Sequence, residues 1–205
     1  VSPGATFERV YLALKQLLVG GAFCPGQQLE PAHLADDLTA SVTPVRDALH
    51  RLVGERLVET PRNDGFRVPL VTEAALRDLY RWSERLLLIP LRGRGMDPGA
   101  ASSLRSAPTG PPPAPEQDIA ELFLLIARLS GIREHQQAVA GMNDRLGPVR
   151  LKEAVLFNDV SAEAAGIAEA LERRDAGTLR RLVIAYHRRR ERHASDLLEL
   201  LQPIR

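Results

Sequence analysis

The chain has 205 residues, 44 % of them hydrophobic, enough for one or two domains with a real core. The near-balance of 27 Lys and Arg against 26 Asp and Glu gives a net charge of +1, so bulk basicity does not mark a nucleic-acid binder. The single cysteine, Cys24, excludes an internal disulfide and a cysteine metal cluster. No stretch approaches the ~18 apolar residues of a membrane span. The N-terminal residues lack the basic and apolar regions of a signal peptide, so a reducing cytoplasm is the expected compartment.

The elements are best taken in chain order. Val10, Leu14, Leu17 and Leu18 form an apolar stripe that predicts a helix over 6–19, ended by Gly20-Gly21. Pro25-Gly26 makes a turn, and Leu34, Ala35 and Leu38 predict a short helix over 31–38. After the polar turn Thr39-Ala40-Ser41, a third helix starts. Thr43 is suited to cap it and Pro44 to its first helical position, and it runs to about Glu55. Val45, Ala48, Leu49, Leu52 and Val53 make its buried face. Arg46, placed in the first turn, and His50 lie on another, polar face. Leu57-Val58-Glu59-Thr60 has strand character. Asp64-Gly65 signals a hairpin turn, and Phe66-Arg67-Val68 alternates as the return strand. Helix, helix, turn, helix and two-stranded hairpin make a winged helix-turn-helix over residues 1–70. Such a unit presents one helix and one β-tip to a duplex. Its seven Arg and Lys against eight Asp and Glu mean that any DNA contact depends on where charges sit.

From Thr72, a candidate N-cap, a helix with a broad apolar surface runs to near Pro90. Residues 92–117, rich in Gly, Pro, Ser and Ala, read as a loop or connector. Helices resume at Asp118, at about Glu134 to Leu146, at Val149 to Phe157 after a break at Gly147-Pro148, at Ala162 to Arg173, and as one helix from Ala176 to about Leu201. The fold class is therefore mainly α, a winged helix-turn-helix followed by an all-helical bundle over 71–205. The run His187 to His193 reads as a solvated helix face, since Glu191, Asp196 and Glu199 lie nearby. His187 and His193, six apart, do not share a face and make no metal pair. Tyr80 and Trp82 read as structural packing, and Glu163 as a surface charge.

Leu34-Ala35, Thr43-Pro44-Val45-Arg46-Asp47-Ala48-Leu49, Leu52, Leu57-Val58-Glu59 and Gly65-Phe66-Arg67-Val68 resemble the signature of GntR-family transcriptional regulators. The remaining chain is similar to the all-helical effector domain of the FadR subgroup, the FCD type, through Ile126-Ala127, Ser130-Gly131, Ile167, Ala170-Leu171 and Asp175. The resemblance implies a ligand-responsive repressor that binds a palindromic double-stranded DNA operator as a homodimer. It implies DNA contacts at Thr43 and Arg46 and at a wing tip around Arg62, Asn63 and Gly65. Ser41 is placed to bind phosphate, His33 to meet the DNA backbone, and His50 to meet phosphate or solvent. Two positions depart from the pattern. Val42 replaces an Arg, and Pro31-Ala32-His33 replaces a stretch that carries Glu and often Arg. Both imply an altered operator preference or weaker binding, although Val42 could meet a thymine methyl.

Many FCD domains hold a divalent metal on an Asp and three His. The corresponding positions here are Ile119, Phe123, Ala164 and Tyr186, with His187 and Asp118 one residue away. The expectation is no metal and no other cofactor. Ile119, Phe123, Ala164, Tyr186 and His187 are candidates to line a pocket for an unidentified small-molecule effector. No nucleophile elbow, phosphate-cradling glycine loop or His-Glu-x-x-His motif is present in the sequence. Two other readings stay open: a winged-helix module that binds a protein and no DNA, and an enzyme with a helical catalytic domain.

Overall fold

A computed structural model of the chain describes residues 3–61, 65–91 and 115–201, with the side chains of 3 and 115–118 left out. The chain divides into two compact units. Unit 1 takes the described residues of Val1–Val71, Asp144–Leu151 and Glu199–Arg205; unit 2 takes those of Thr72–Asn143 and Lys152–Leu198. No helix among the described residues is long and apolar enough to cross a membrane.

In unit 1, helix α1 (Pro3–Val19) buries Val10, Tyr11, Leu14 and Leu18. It ends at Gly21, whose φ of +68° lets the Ala22 N–H reach back to the Leu17 carbonyl at 2.9 Å. Strand β1 (Gln28–Leu29) leads into α2 (Pro31–Asp37), whose proline sits in the first turn, where an N–H is not missed. Helix α3 (Val42–Gly54) follows, burying Val45, Ala48, Leu49 and Leu52 against the same core. Its C-cap is Glu55; Arg56 at φ +61° then turns the chain so that Leu57 and Val58 enter that core.

The wing differs from the expected hairpin. Strand β2 (Phe66–Arg67) pairs antiparallel with β1, Gln28 opposite Arg67 and Leu29 opposite Phe66. From the 57–60 stretch, Glu59 alone bridges to Arg67. Leu57 and Val58 are apolar because they fill the core. Their N–H groups bond the Leu52 carbonyl, at 3.0 and 3.4 Å, and so are not part of a ladder.

Unit 2 is built from helices. Helix α4 (Glu73–Leu88) is capped as expected, the Thr72 hydroxyl accepting from the Ala75 N–H at 3.2 Å. Helix α5 (Pro115–Arg128) starts three residues before Asp118, and residues 92–114 of the expected connector lie outside the described residues. Helix α6 (Arg133–Leu156) is one helix where two were expected, with Pro148 inside it. A proline removes one backbone bond and crowds the carbonyl four residues back. Leu146 and Val149, both buried, hold the helix together across that gap. The preceding Gly147, in the stretch of α6 that belongs to unit 1, is needed for packing within that unit: a Cβ there would meet the Val19 side chain at 2.6 Å and its carbonyl oxygen at 2.9 Å. Helix α7 (Val160–Glu172) precedes α8 (Ala176–Arg192), which Asp175 caps by accepting from the Thr178 N–H at 2.9 Å. The expected single helix to Leu201 breaks at His193, beyond which α9 (Ala194–Leu201) begins. The His193 ring N–H donates to the Asp196 carboxylate at 2.8 Å, a local bond that favours a new helix start.

Candidate nucleic-acid interface

The outer face of α3 is polar because its apolar residues recur at steps of three and four on the other side. Ser41, Val42, Thr43, Arg46, Asp47 and His50 are exposed on it. The helix starts earlier than the sequence suggests. Ser41 holds the cap position with extended backbone, at φ −80° and ψ 160°, and Val42 is the first helical residue. Thr43 and Pro44 are therefore the second and third, and Arg46 stands just beyond the first turn. Pro44 fits because the first turn has free N–H groups in any case. Ser41 makes no capping hydrogen bond through its side chain, so those N–H groups point at whatever meets this end.

The turn before α3 is held from a distance. Thr39 adopts φ +47°, and the Ala40 N–H bonds the Ala35 carbonyl at 2.9 Å. From α1, Arg9 donates to the carbonyls of Leu38 at 2.9 Å and Thr39 at 3.2 Å. The sequence reading missed Arg9, whose only signal was a cation lying off the apolar stripe.

His50 does not simply face outward; its ring packs edge-on against Phe66 of β2, with centroids 4.9 Å apart. His33 is exposed on α2, and Gly65 is exposed at φ +72° at the start of β2. Arg62 and Asn63 lie outside the described residues. Arg51 is structural: it sits 3.7 Å over the Tyr11 ring and pairs with Glu8 at 3.3 Å.

The far end of α3 is fixed by an ionic network. The Tyr11 hydroxyl donates to Glu55 at 2.6 Å, and Lys15 pairs with Glu55 at 2.9 Å and Asp144 at 2.7 Å. Burial opposes the charge on Glu55, but the Tyr11 hydroxyl and the Lys15 ammonium outweigh it and hold the carboxyl below its ordinary value. Burial likewise opposes the Lys15 charge, and Asp144 and Glu55 together hold its ammonium well above the ordinary lysine value.

In unit 2 the five pocket candidates Ile119, Phe123, Ala164, Tyr186 and His187 are all buried. Three of them meet. The Phe123 ring lies 5.2 Å from Tyr186, edge to face, and 5.5 Å from His187, stacked. Nδ1 of His187 donates to the Val183 carbonyl at 2.7 Å, and Nε2 lies 3.0 Å from the Ser83 hydroxyl. The donor chemistry does not fit a divalent metal: four of the five side chains offer no metal-binding nitrogen or carboxylate. The imidazole nitrogens of the fifth, His187, both have protein partners. Among the described residues no group of three or more His, Cys, Asp or Glu could hold a metal; the Asp118 side chain lies outside them.

The run from His187 to His193 is not a solvated face. His187 and Arg190 are fully buried. They continue the stripe Leu179, Val183 and Tyr186 at steps of three and four, the signal that could have placed them. Arg190 donates twice to Glu153, at 2.8 and 3.0 Å, pairs with Glu163 at 2.7 Å and lies 3.5 Å over the Tyr186 ring. Tyr80 also donates to Glu153, at 3.0 Å. Glu163 is thus a partner in this network and not a plain surface charge; it also pairs with Arg189 at 3.0 Å. Burial works against the Arg190 charge, yet Tyr186 and the two carboxylates hold it above the ordinary arginine value. Trp82 departs from expectation in the other direction, at 49 % exposure, while Tyr80 is buried.

Comparison with known proteins follows this division. Residues 6–68 match the model of bacterial regulatory proteins, gntR family. The HTH-type transcriptional repressor GlaR of Escherichia coli (strain K12) is 34 % identical over 100 residues, 47 % of this chain and 46 % of that protein. The HTH-type transcriptional regulator McbR of the same organism is 31 % identical over 123 residues, 59 % of this chain and 48 % of that protein. The chain spans about half the length of the curated relatives it matches. The solved structure of E. coli McbR/YncC is similar with a TM-score of 0.68 at 20 % identity, covering 98 % of this chain and all of that one (100 %). A putative GntR transcriptional regulator from Rhodococcus sp. RHA1 gives a TM-score of 0.71 at 18 % identity, covering 94 % of this chain and 98 % of that one. These structural likenesses show the fold: a winged helix-turn-helix with a helical domain.

Proposed function

We propose, from the match of residues 6–68 to the model of bacterial regulatory proteins, gntR family, that this chain is a DNA-binding transcriptional repressor of that family. It binds a palindromic operator as a homodimer, and a small molecule taken up by its helical, FCD-type unit controls it. The observation that carries the reading is the outer face of α3. Ser41, Thr43 and Arg46 stand exposed at a helix start whose N–H groups are not capped by a side chain. Ser41 and Thr43 suit phosphate, which sets register, and Arg46 suits a guanine edge, which sets sequence. Gly65, exposed at the start of β2, suits a minor-groove contact.

The effector meets the Phe123, Tyr186 and His187 side of unit 2 and is bound without a metal. It acts by binding one arrangement of the dimer more tightly than the other. The compartment is the cytoplasm.

The test is binding of the wild-type chain and Arg46→Ala to operator DNA selected from genomic fragments. A guanine contact is worth about 1–3 kcal/mol, so Arg46→Ala should bind about 5- to 150-fold more weakly at unchanged helix content. Wild-type affinity should fall steeply with salt as counterions are released. Full footprinting by Arg46→Ala at the same site would overturn the assignment of α3. Salt-independent capture of a protein in place of DNA would favour the interaction-module reading.

A further inference from the structure

His50 stands one helical turn beyond Arg46, so the two side chains share the outer face of α3, with Asp47 beside them. All three are exposed. Among the described residues, the side chains of Arg46 and Asp47 have no hydrogen-bond or ion-pair partner, and the imidazole of His50 has only its ring contact with Phe66 of β2. The two rings lie 4.9 Å apart at 74°. Phe66 is 7 % exposed and belongs to the core of unit 1. Its strand is registered by β1 and by the bridge from Glu59 to Arg67. The imidazole therefore leans on a fixed ring, while both of its nitrogens are left to a partner.

A phosphate and a base edge ask different things of a side chain. Phosphate is met by charge and sets register; a base edge needs a donor at one place and one angle. A ring with few rotatable bonds, packed on one side, is suited to the second task, because little freedom remains to be lost on binding. Asp47 points the same way. Its carboxylate, three residues before His50 on this face, repels a phosphate there and not an uncharged base edge. Four residues of helix rise about 6 Å, close to two base-pair steps of about 3.4 Å.

We propose that His50 is a second base-reading residue, donating to a purine edge about two base pairs from the base that Arg46 reads, and that Phe66 is its positioning residue. The assignment rests on the DNA-binding reading given under the proposed function, and it deepens that reading: the wing orients a side chain of the reading helix.

Selection from a library of randomised duplexes decides it, with circular dichroism as the check on folding. The wild type, Arg46→Ala, His50→Ala, Phe66→Leu and Phe66→Tyr are compared. Arg46→Ala and His50→Ala should each lose the preference at one position, the two positions about two base pairs apart. The loss at the second should be about five-fold, one hydrogen bond's worth. Phe66→Leu keeps an apolar side chain in the core, removes the ring and should lose the same preference as His50→Ala; Phe66→Tyr should restore it. Replacing the purine at that position by its 7-deaza form should weaken the wild type about five-fold and His50→Ala not at all. If Phe66→Leu fails to fold, the deazapurine comparison alone decides. A motif unchanged in His50→Ala, a preference kept in Phe66→Leu, or a deazapurine that weakens both chains alike would each overturn the proposal. Loss spread evenly over all duplexes would place His50 on phosphate and overturn it too. A wild type that selects no motif removes the DNA reading itself, while an unchanged motif in His50→Ala removes only this residue.

Discussion

Two arginines, one in each unit, have opposite fates. Arg46 of α3 lies exposed at the start of a helix whose other face fills the core of unit 1. Arg190 of α8 is fully buried, bonded to Glu153 and Glu163 and stacked on Tyr186. Charge alone does not distinguish them; phase does. Arg46 falls between the buried positions Val45 and Ala48, while Arg190 falls in step with Val183 and Tyr186. A cation out of phase with the core is available to a partner. A cation in phase with it must bring its counter-charges along, because an unpaired charge inside a protein is too costly to keep.

This contrast can be broken at four places, from the largest effect to the smallest. Removing Glu153 leaves Arg190 buried with Glu163 as its remaining carboxylate, so Glu153→Ala should cost about 3 kcal/mol, read as a lower midpoint in urea. An unchanged midpoint would mean that the Arg190 charge does not depend on its partners. Arg46→Ala comes second: operator affinity should drop by the factor given above while the urea midpoint stays put, the reverse of Glu153→Ala.

Third is the network behind α3. Glu55 titrates below its ordinary value in the folded state, so its contribution to stability is present above the unfolded carboxyl pKa of about 4.3 and is lost as pH falls through the folded value. Glu55→Gln should lower stability at pH 7 by only about 0.5–1 kcal/mol, since the group is half-buried and solvent screens it. The difference from wild type should shrink as pH falls below the unfolded value and vanish once it is below the folded one; a difference that persists in acid would place the effect in packing.

Smallest is Val42, 39 % exposed at the first helical position of α3. If it meets a thymine methyl, exchanging that thymine for uracil removes one buried methyl, worth about 0.8 kcal/mol or about four-fold in affinity. Val42→Ser should bind both DNAs equally. Equal binding by the wild type would show that Val42 faces no methyl group.

Unit 1 was the more legible from sequence. Its helices announce themselves through short apolar stripes, through Gly20-Gly21, and through residues that turn chains. The missed parts are those set by distant partners: β1 pairs with β2 across the unit, and Leu57-Val58 is apolar for core packing. The helix start at Val42 was placed late because Thr43-Pro44 is a strong local cap signal; Ser41, two residues earlier, holds the position with its backbone. In unit 2 the helices were legible but their ends were not. In the stretch of α6 that belongs to unit 1, Gly147-Pro148 reads as a break, yet the helix continues because Gly147 lies against Val19 and its apolar neighbours are buried. The site residues followed the same pattern. Phe123, Tyr186 and His187 were singled out and do meet. Glu153 and its ring of partners went unseen, because the pairing of a buried charge is decided by residues far off in sequence.

The clamp from Arg9 has a bearing on how portable the reading helix is. The turn between α2 and α3 is completed by a side chain 29 to 30 positions earlier in the chain. Residues 31–54 therefore do not form a self-contained cassette. Transplanted to another scaffold without α1, they would carry the letters of the code and lose the angle at which it is read.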